Sequence, residues 1–149
     1  MTVGKPVSKS QPILIVEDSE DDYDATRRAF TKANLHNPIV HAYSGEEALA
    51  YLRDESNAKP GLILLDLNMP GMDGRKTLET IKQHKSLRHI PVVILTTSDD
   101  ERDVTACYDL GANTYIQKPV DFDGLIDALK QLKEYWFEIA LLPKEGMHE

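Results

Sequence analysis

The sequence predicts an α/β fold: a doubly wound, five-stranded parallel sheet with an extended C-terminal helix or tail. Three observations carry this. Short apolar runs recur at Ile13–Val16, Ile39–Ala42, Leu62–Leu65, 92–95 and 114–116, of the length and composition of strands covered on both faces. Segments with helical spacing of apolar residues separate the runs, and such alternation gives parallel strands joined by right-handed crossovers. The third run ends abruptly in Asp66 and a Pro- and Gly-rich turn, Asn68-Met-Pro70-Gly71-Met-Asp73-Gly74, so a buried strand delivers an acid to its carboxyl end.

Each element has its own local signal. After the first strand, Asp21, Asp22 and Asp24 favour a helix N-terminus, and Tyr23, Arg27, Phe30 and Ala33 continue at helical spacing until Asn37-Pro38 ends the segment. Ser44-Gly-Glu-Glu47 has capping-box spacing and leads into Ala48, Leu49 and Leu52. Leu78, Ile81 and Leu87 carry the third helical segment, closed by Pro91 before the fourth strand. The fourth helix is expected over about 100–110 with Gly111 as its left-handed cap, and Asp121 caps a last helix bearing Leu125, Ala128, Leu129, Leu132 and Trp136 on one face. The expected strand order is 2-1-3-4-5, the flavodoxin-like arrangement.

With 149 residues the chain has room for one ordinary domain. A net charge of -8 argues against a nucleic-acid partner, because phosphate-backbone affinity is built from clustered Lys and Arg. Cys107 is the only cysteine, which excludes an internal disulfide and suits a reducing cytosol. Without a signal-peptide core or an apolar run near the ~20 residues of a membrane span, a soluble, cytoplasmic protein with no membrane partner is expected. Residues 1–10 read as a disordered leader, 11–133 as the domain and 134–149 as an apolar extension.

In the 2-1-3-4-5 order the first and third strands are neighbours, so Glu17 and Asp18 should face Asp66 across the crevice where such sheets bind ligands. Three carboxylates together raise each other's pKa unless a cation neutralises them. All-oxygen ligation suits a hard divalent ion, here Mg²⁺, with Asp18 and Asp66 as direct ligands, Glu17 acting through water and the Asn68 backbone carbonyl as a third protein oxygen. Helix capping would explain Asp21 and Asp22, but not acids at the ends of two apolar strands. The fourth strand ends in Thr96-Thr97-Ser98 and the fifth is followed by Lys118-Pro119. A hydroxyl and an ammonium thus complete an anion pocket beside the metal. The chemistry that fits is attack of the Asp66 carboxylate on a phosphoryl group, giving an aspartyl-phosphate. No Gly-rich nucleotide loop is present, so the donor must come from elsewhere.

Val16-Glu-Asp18-Ser, Leu65-Asp66 through Gly74, Leu95-Thr96 and Lys118-Pro119, in this order and at these strand ends, together resemble the receiver domain of two-component response regulators. The resemblance covers residues 11–133. It implies phosphoryl transfer from a phosphohistidine on a sensor histidine kinase to Asp66, followed by slow hydrolysis, with no catalysis beyond the protein's own phosphorylation and dephosphorylation. It also implies that Thr96 is the switch hydroxyl and Tyr115 the aromatic switch, and that the fourth helix, fifth strand and fifth helix form the readout surface. By the same resemblance Lys118–Pro119 is a cis peptide, and Asn68 and Ser98 tune the lifetime of the phosphate. Ending at Glu149, the chain is expected to signal by contact.

The tail from Tyr135 to Pro143 is too apolar for a solvated terminus. It is similar to that of the small response regulators accompanying bacterial phytochromes, which implies a light-sensing kinase partner and a homodimer. Tyr135, Trp136, Phe137, Ile139, Leu141 and Leu142 are the expected interface, the alternative being a tail that folds back on its own domain. Two other classes compete. A Mg²⁺-dependent phosphohydrolase of the haloacid-dehalogenase type also uses a strand-end aspartate, but its usual second acid two residues later is Asn68 here. A flavodoxin-like flavin carrier would need a phosphate loop free of the acids that crowd residues 17–22.

Overall fold

The structure, a computed structural model, describes residues 7, 8, 10–69, 71, 73–140 and 142. Five strands, β1 (Ile13–Val16), β2 (Ile39–Ala42), β3 (Leu62–Leu65), β4 (Val92–Thr96) and β5 (Thr114–Gln117), form one parallel sheet in the order β2-β1-β3-β4-β5. β4 and β5 each run one residue further than their apolar stretch. The connecting helices are α1 (Glu20–Lys32), α2 (Gly45–Arg53), α3 (Gly74–Gln83), α4 (Glu101–Asp109) and α5 (Phe122–Glu134), the last continuing into a π-helical turn, Tyr135–Ile139.

Alternation along the strands sorts the core into two layers. Leu14, Val16, Ile63, Leu65, Val92 and Ile94 face Ala48, Leu49, Leu78, Ile81 and Cys107. Ile13, Ile15, Leu62, Leu64, Val93 and Leu95 face Ala29, Phe30, Leu125, Leu129 and Leu132. β1, β3 and β4 are buried throughout, whereas the edge strands β2 and β5 are half-exposed, which explains the short apolar reading of β5. No described helix is long and apolar enough to cross a membrane.

Every α-helix starts on a side-chain cap, each worth about 1 kcal/mol. Ser44 accepts the Glu47 N–H at 3.1 Å, while the Glu47 carboxylate reaches the Tyr43 N–H at 2.9 Å. Asp121 accepts the Gly124 N–H at 2.8 Å. Ser19, Asp73 and Asp100 do the same for α1, α3 and α4. Gly111 ends α4 at φ +105°, as its position suggests. Gly74 answers a different need: a Cβ there would meet the Asp66 carbonyl oxygen at 2.3 Å and the Leu67 Cα at 2.6 Å. Only glycine lets α3 start so close to the acid-bearing loop.

Three expectations need correction. The leader is not free at its C-terminal end: Val7 is buried in the second core layer, its N–H donates to the Trp136 carbonyl at 2.8 Å, and the Ser8 carbonyl accepts from Asn37 Nδ2 at 2.9 Å. Its other residues, apart from Ser10, lie outside the described residues. Trp136, expected at a dimer interface, is 7% exposed and completes the chain's own core, with Phe137 and Leu142 half-buried against it. Trp136, four residues after Leu132, continues the apolar stripe of α5 into the core. Leu141 lies outside the described residues, leaving Tyr135 and Ile139 exposed. Finally, Lys118–Pro119 is trans. Trans is the lower-energy isomer even before proline, and the backbone reaches the site with it, the Lys118 N–H donating to the Thr96 carbonyl at 2.6 Å.

Because Trp136 packs within its own chain, Trp136→Ala is expected to cost about 3 kcal/mol or more of unfolding free energy, by loss of buried area and creation of a cavity. Urea unfolding at two protein concentrations checks this. A loss seen only at the concentration where the chain self-associates would move Trp136 to an intermolecular contact.

Candidate functional site

The parallel register pairs Val16 with Leu65 as the last residues of β1 and β3. The next residues, Glu17 and Asp18 on one chain segment and Asp66 on the other, therefore leave the sheet side by side, and the Asp66 N–H donates to the Val16 carbonyl at 3.1 Å. One carboxylate oxygen from each of the three lies within 4.8 Å of the others. Glu17 is 4% exposed and Asp66 9%, while Asp18 opens to solvent.

One ammonium faces this cluster. Lys118 Nζ donates to Glu17 Oε1 at 2.8 Å and to Asp22 Oδ2 at 3.1 Å, and stands 3.9 Å from Asp66 Oδ2. Burial pushes the Glu17 carboxyl up from its ordinary value near 4.5 to about 7; the Asp66 charge adds to this, and the Lys118 bond and the Ser19 N–H oppose it. Burial acts downward on Lys118, but its bond to Glu17 and the charges of Glu17 and Asp66 prevail and hold the ammonium above its usual range. Burial thus favours the neutral form of Glu17, while the neighbouring carboxylates keep Lys118 charged. An all-oxygen donor set with surplus negative charge in a half-buried cleft fits a hard divalent cation.

The other expected residues stand around this cluster. The Asn68 N–H donates to Asp66 Oδ1 at 3.3 Å, and Asn68 Nδ2 approaches the hydroxyl of fully buried Thr96 at 3.5 Å, a long contact. Tyr115, half-buried on β5, donates its hydroxyl to the Ser98 carbonyl at 3.0 Å. Ser98 Oγ donates to Asp103 Oδ2 at 2.8 Å, and Arg75 Nη2 donates to Asp103 Oδ1 at 2.5 Å. The bond from Arg75, then that from Ser98, hold the Asp103 carboxyl below its usual range. The Arg75–Asp103 pair thus ties α3 to α4 and fixes the loop after β4. It was not foreseen, since 28 residues separate the partners and neither lies at a strand end. Asp22 was read only as a helix-start charge; its spacing from Asp18, one helical turn on, is the signal that it too can face Lys118.

Residues 13–130 match the family model of the response regulator receiver domain. Response regulator Rcp1 of Synechocystis sp. is 38% identical over 135 residues, 88% of this chain and 92% of Rcp1; a Mn²⁺-bound structure of Rcp1 aligns with a TM-score of 0.80 at 37% identity, covering 89% of this chain and 99% of that one. The phosphorylated cyanobacterial phytochrome response regulator RcpA aligns with a TM-score of 0.83 at 39% identity, over 91% of this chain and 99% of RcpA. The bacteriophytochrome response regulator AtBRR is 40% identical, with a TM-score of 0.70 over 91% of this chain and 99% of AtBRR. With its acid cluster at the β1 and β3 ends and the family model matched across the whole sheet, this chain belongs to the response regulator receiver domain family of two-component signalling.

Proposed function

We propose that this receiver accepts a phosphoryl group on Asp66 from a phosphohistidine of a sensor histidine kinase, in a Mg²⁺-dependent reaction. The observation that carries the reading is the convergence of Glu17, Asp18 and Lys118 on Asp66. An Asp66 carboxylate oxygen attacks phosphorus; the O–P bond forms as the P–N bond to the imidazole breaks, and the nitrogen leaves with the bonding pair. Lys118 neutralises charge on the transferring group, and the Asn68 N–H orients the nucleophile through Oδ1. Asp18, Asp66 and the Asn68 carbonyl would hold Mg²⁺, with Glu17 acting through water, and the bound ion supplies charge neutralisation for the phosphoryl oxygens. The Mn²⁺-bound form of Rcp1 supports a divalent ion here.

The phosphate then acts on the β4–β5 side. Its oxygens are strong acceptors, so the Thr96 hydroxyl turns from Asn68 toward them, and Tyr115 releases the Ser98 carbonyl and moves into the space vacated. The α4-β5-α5 surface changes with them, while Asn68 and Ser98, flanking the site, set the phosphate lifetime. The likeness to RcpA and AtBRR supports a bacterial phytochrome as the kinase partner. Tyr135 and Ile139, 51% and 61% exposed, support a homodimer built on the end of α5. The lone buried Cys107 suits a reducing cytoplasm.

Native mass spectrometry of wild type and Asp66→Asn, given Mg²⁺ and either acetyl phosphate or an autophosphorylated bacterial phytochrome, is expected to add one phosphoryl group to wild type alone, on a chain that runs as a dimer. Equal labelling of both proteins would remove Asp66 from the reaction, transfer only from unrelated kinases would remove the phytochrome, and a monomer throughout would remove the dimer. Thr96→Ala should still be phosphorylated but lose the change in hydrogen exchange across α4, β5 and α5; an unchanged response would take the switch away from Thr96.

The raised Glu17 pKa fixes the sign of a pH effect. Between about 4.5 and 7 the folded chain holds a proton on Glu17 that the unfolded chain gives up. Metal-free stability should therefore fall as pH rises through this window. Protons compete with the cation for the same oxygens, so Mg²⁺ affinity should weaken by up to about tenfold per pH unit below 7. Thermal unfolding from pH 4.5 to 8, with EDTA and with Mg²⁺, checks both; parallel curves would contradict the assignment.

A further inference from the structure

His41 stands outside the acidic cluster and touches it through the backbone. The β1–β2 ladder closes on the Val16–Ala42 pair, and beyond it Glu17 is gripped on both flanking peptides. Its N–H donates to the Ala42 carbonyl at 3.0 Å. Its carbonyl lies 2.8 Å from Nε2 of His41. A carbonyl oxygen only accepts, so Nε2 carries the hydrogen and donates it. The peptide fixed in this way is the one that joins Glu17 to Asp18, two of the three acids of the site.

The imidazole is itself held. Tyr23, from the first turns of α1, stacks on it with ring centroids 3.6 Å apart and planes 9° from parallel. Tyr43 packs at 3.9 Å with planes 31° apart; two rings so close to one imidazole must lie on its opposite faces. Tyr43 in turn donates its N–H to the Glu47 carboxylate at 2.9 Å. The stack therefore ties α1, β2 and α2 together beside the loop that carries Glu17 and Asp18. His41 is half-buried on the edge strand β2 and spends its Nε2 on a backbone carbonyl. What it fixes is the direction in which the two carboxylates leave β1.

We propose that His41 is a positioning residue of the cation site: sandwiched by Tyr23 and Tyr43, it donates to the Glu17 carbonyl and so keeps Glu17 and Asp18 aimed at Asp66. This rests on the reading of the cluster as a divalent-cation site. Without the bond, the Glu17–Asp18 peptide is free to rotate, and part of the cation's binding free energy goes into reordering it.

Mn²⁺ titration of the full chain, read by the electron paramagnetic resonance of the free ion, separates the possibilities with two variants. His41→Phe keeps a ring in the stack and removes the donor; His41→Gln offers an amide N–H in its place. His41→Phe is expected to weaken Mn²⁺ binding about three- to tenfold, the worth of one net hydrogen bond, with a metal-free unfolding midpoint close to wild type, and His41→Gln to recover much of the affinity. Wild-type affinity in His41→Phe would overturn the positioning role alone. So would an affinity loss that merely tracks a lowered metal-free midpoint and is not recovered by His41→Gln. A wild-type chain that binds no Mn²⁺ would overturn the cation-site reading, and this role with it.

Discussion

The shortage of positive charge around Glu17, Asp18 and Asp66 governs how the rest of the molecule is arranged. Two adjacent strands, buried on both faces, deliver these acids to one point because their register ends together at Val16 and Leu65. The core layers hold that register, since a slip of one residue would exchange the strand faces and carry Glu17 or Asp66 away from the crevice. Around the acids the described residues supply one ammonium, a glycine where any side chain would collide with the Asp66 carbonyl, and an N–H on one oxygen of Asp66. Burial, and after it the Asp66 charge, raises the pKa of Glu17 within that arrangement. A site fully neutralised by its own side chains would have no use for an ion or an incoming phosphate.

The opposite side of the cleft is built on another principle. Thr96, Ser98 and Tyr115 are neutral, and Ser98 links the other elements, its hydroxyl donating to Asp103 and its carbonyl accepting from Tyr115. Among the described residues the Thr96 hydroxyl meets the long approach of Asn68, and the Tyr115 hydroxyl donates to one carbonyl of the β4–α4 loop. Behind them the Arg75–Asp103–Ser98 chain anchors that loop to α3. The long contact at Thr96 thus lies next to Asp66, and the charged Arg75–Asp103 pair lies further out, between α3 and α4.

Much of this was legible in the sequence, for local reasons. Strand runs, the Ser44 and Asp121 caps, the Gly111 turn and the acids, hydroxyl and ammonium at strand ends are all encoded within a few residues of where they act, and order along the chain then fixes which ends meet. What escaped the reading depends on partners distant in sequence. Val7, a lone apolar residue in a polar leader, docks only because Gly61 leaves room for its side chain and Trp136 offers a carbonyl. Arg75 finds Asp103, and His41 finds Tyr23, across elements whose pairing no single stretch reveals. The Lys118–Pro119 isomer was inferred from the family alone, and nothing near those two residues selects it.

The C-terminal extension shows how one apolar segment serves two needs. Its composition points to an interface, and it makes one, but first with its own domain: Trp136 closes the layer that α1 and α5 share, and its carbonyl pins Val7, so both ends of the described chain meet on the α1–α5 side. A straight α-helical continuation would rotate each later residue by a fixed step; the π-helical turn at Tyr135–Ile139 changes that step. Trp136 goes inward while Tyr135, in edge-on contact with the indole at 4.8 Å between centroids, and Ile139 stay outside. The apolar surface left exposed at the end of α5 is therefore narrower than the composition suggests, and it adjoins a residue buried in the core.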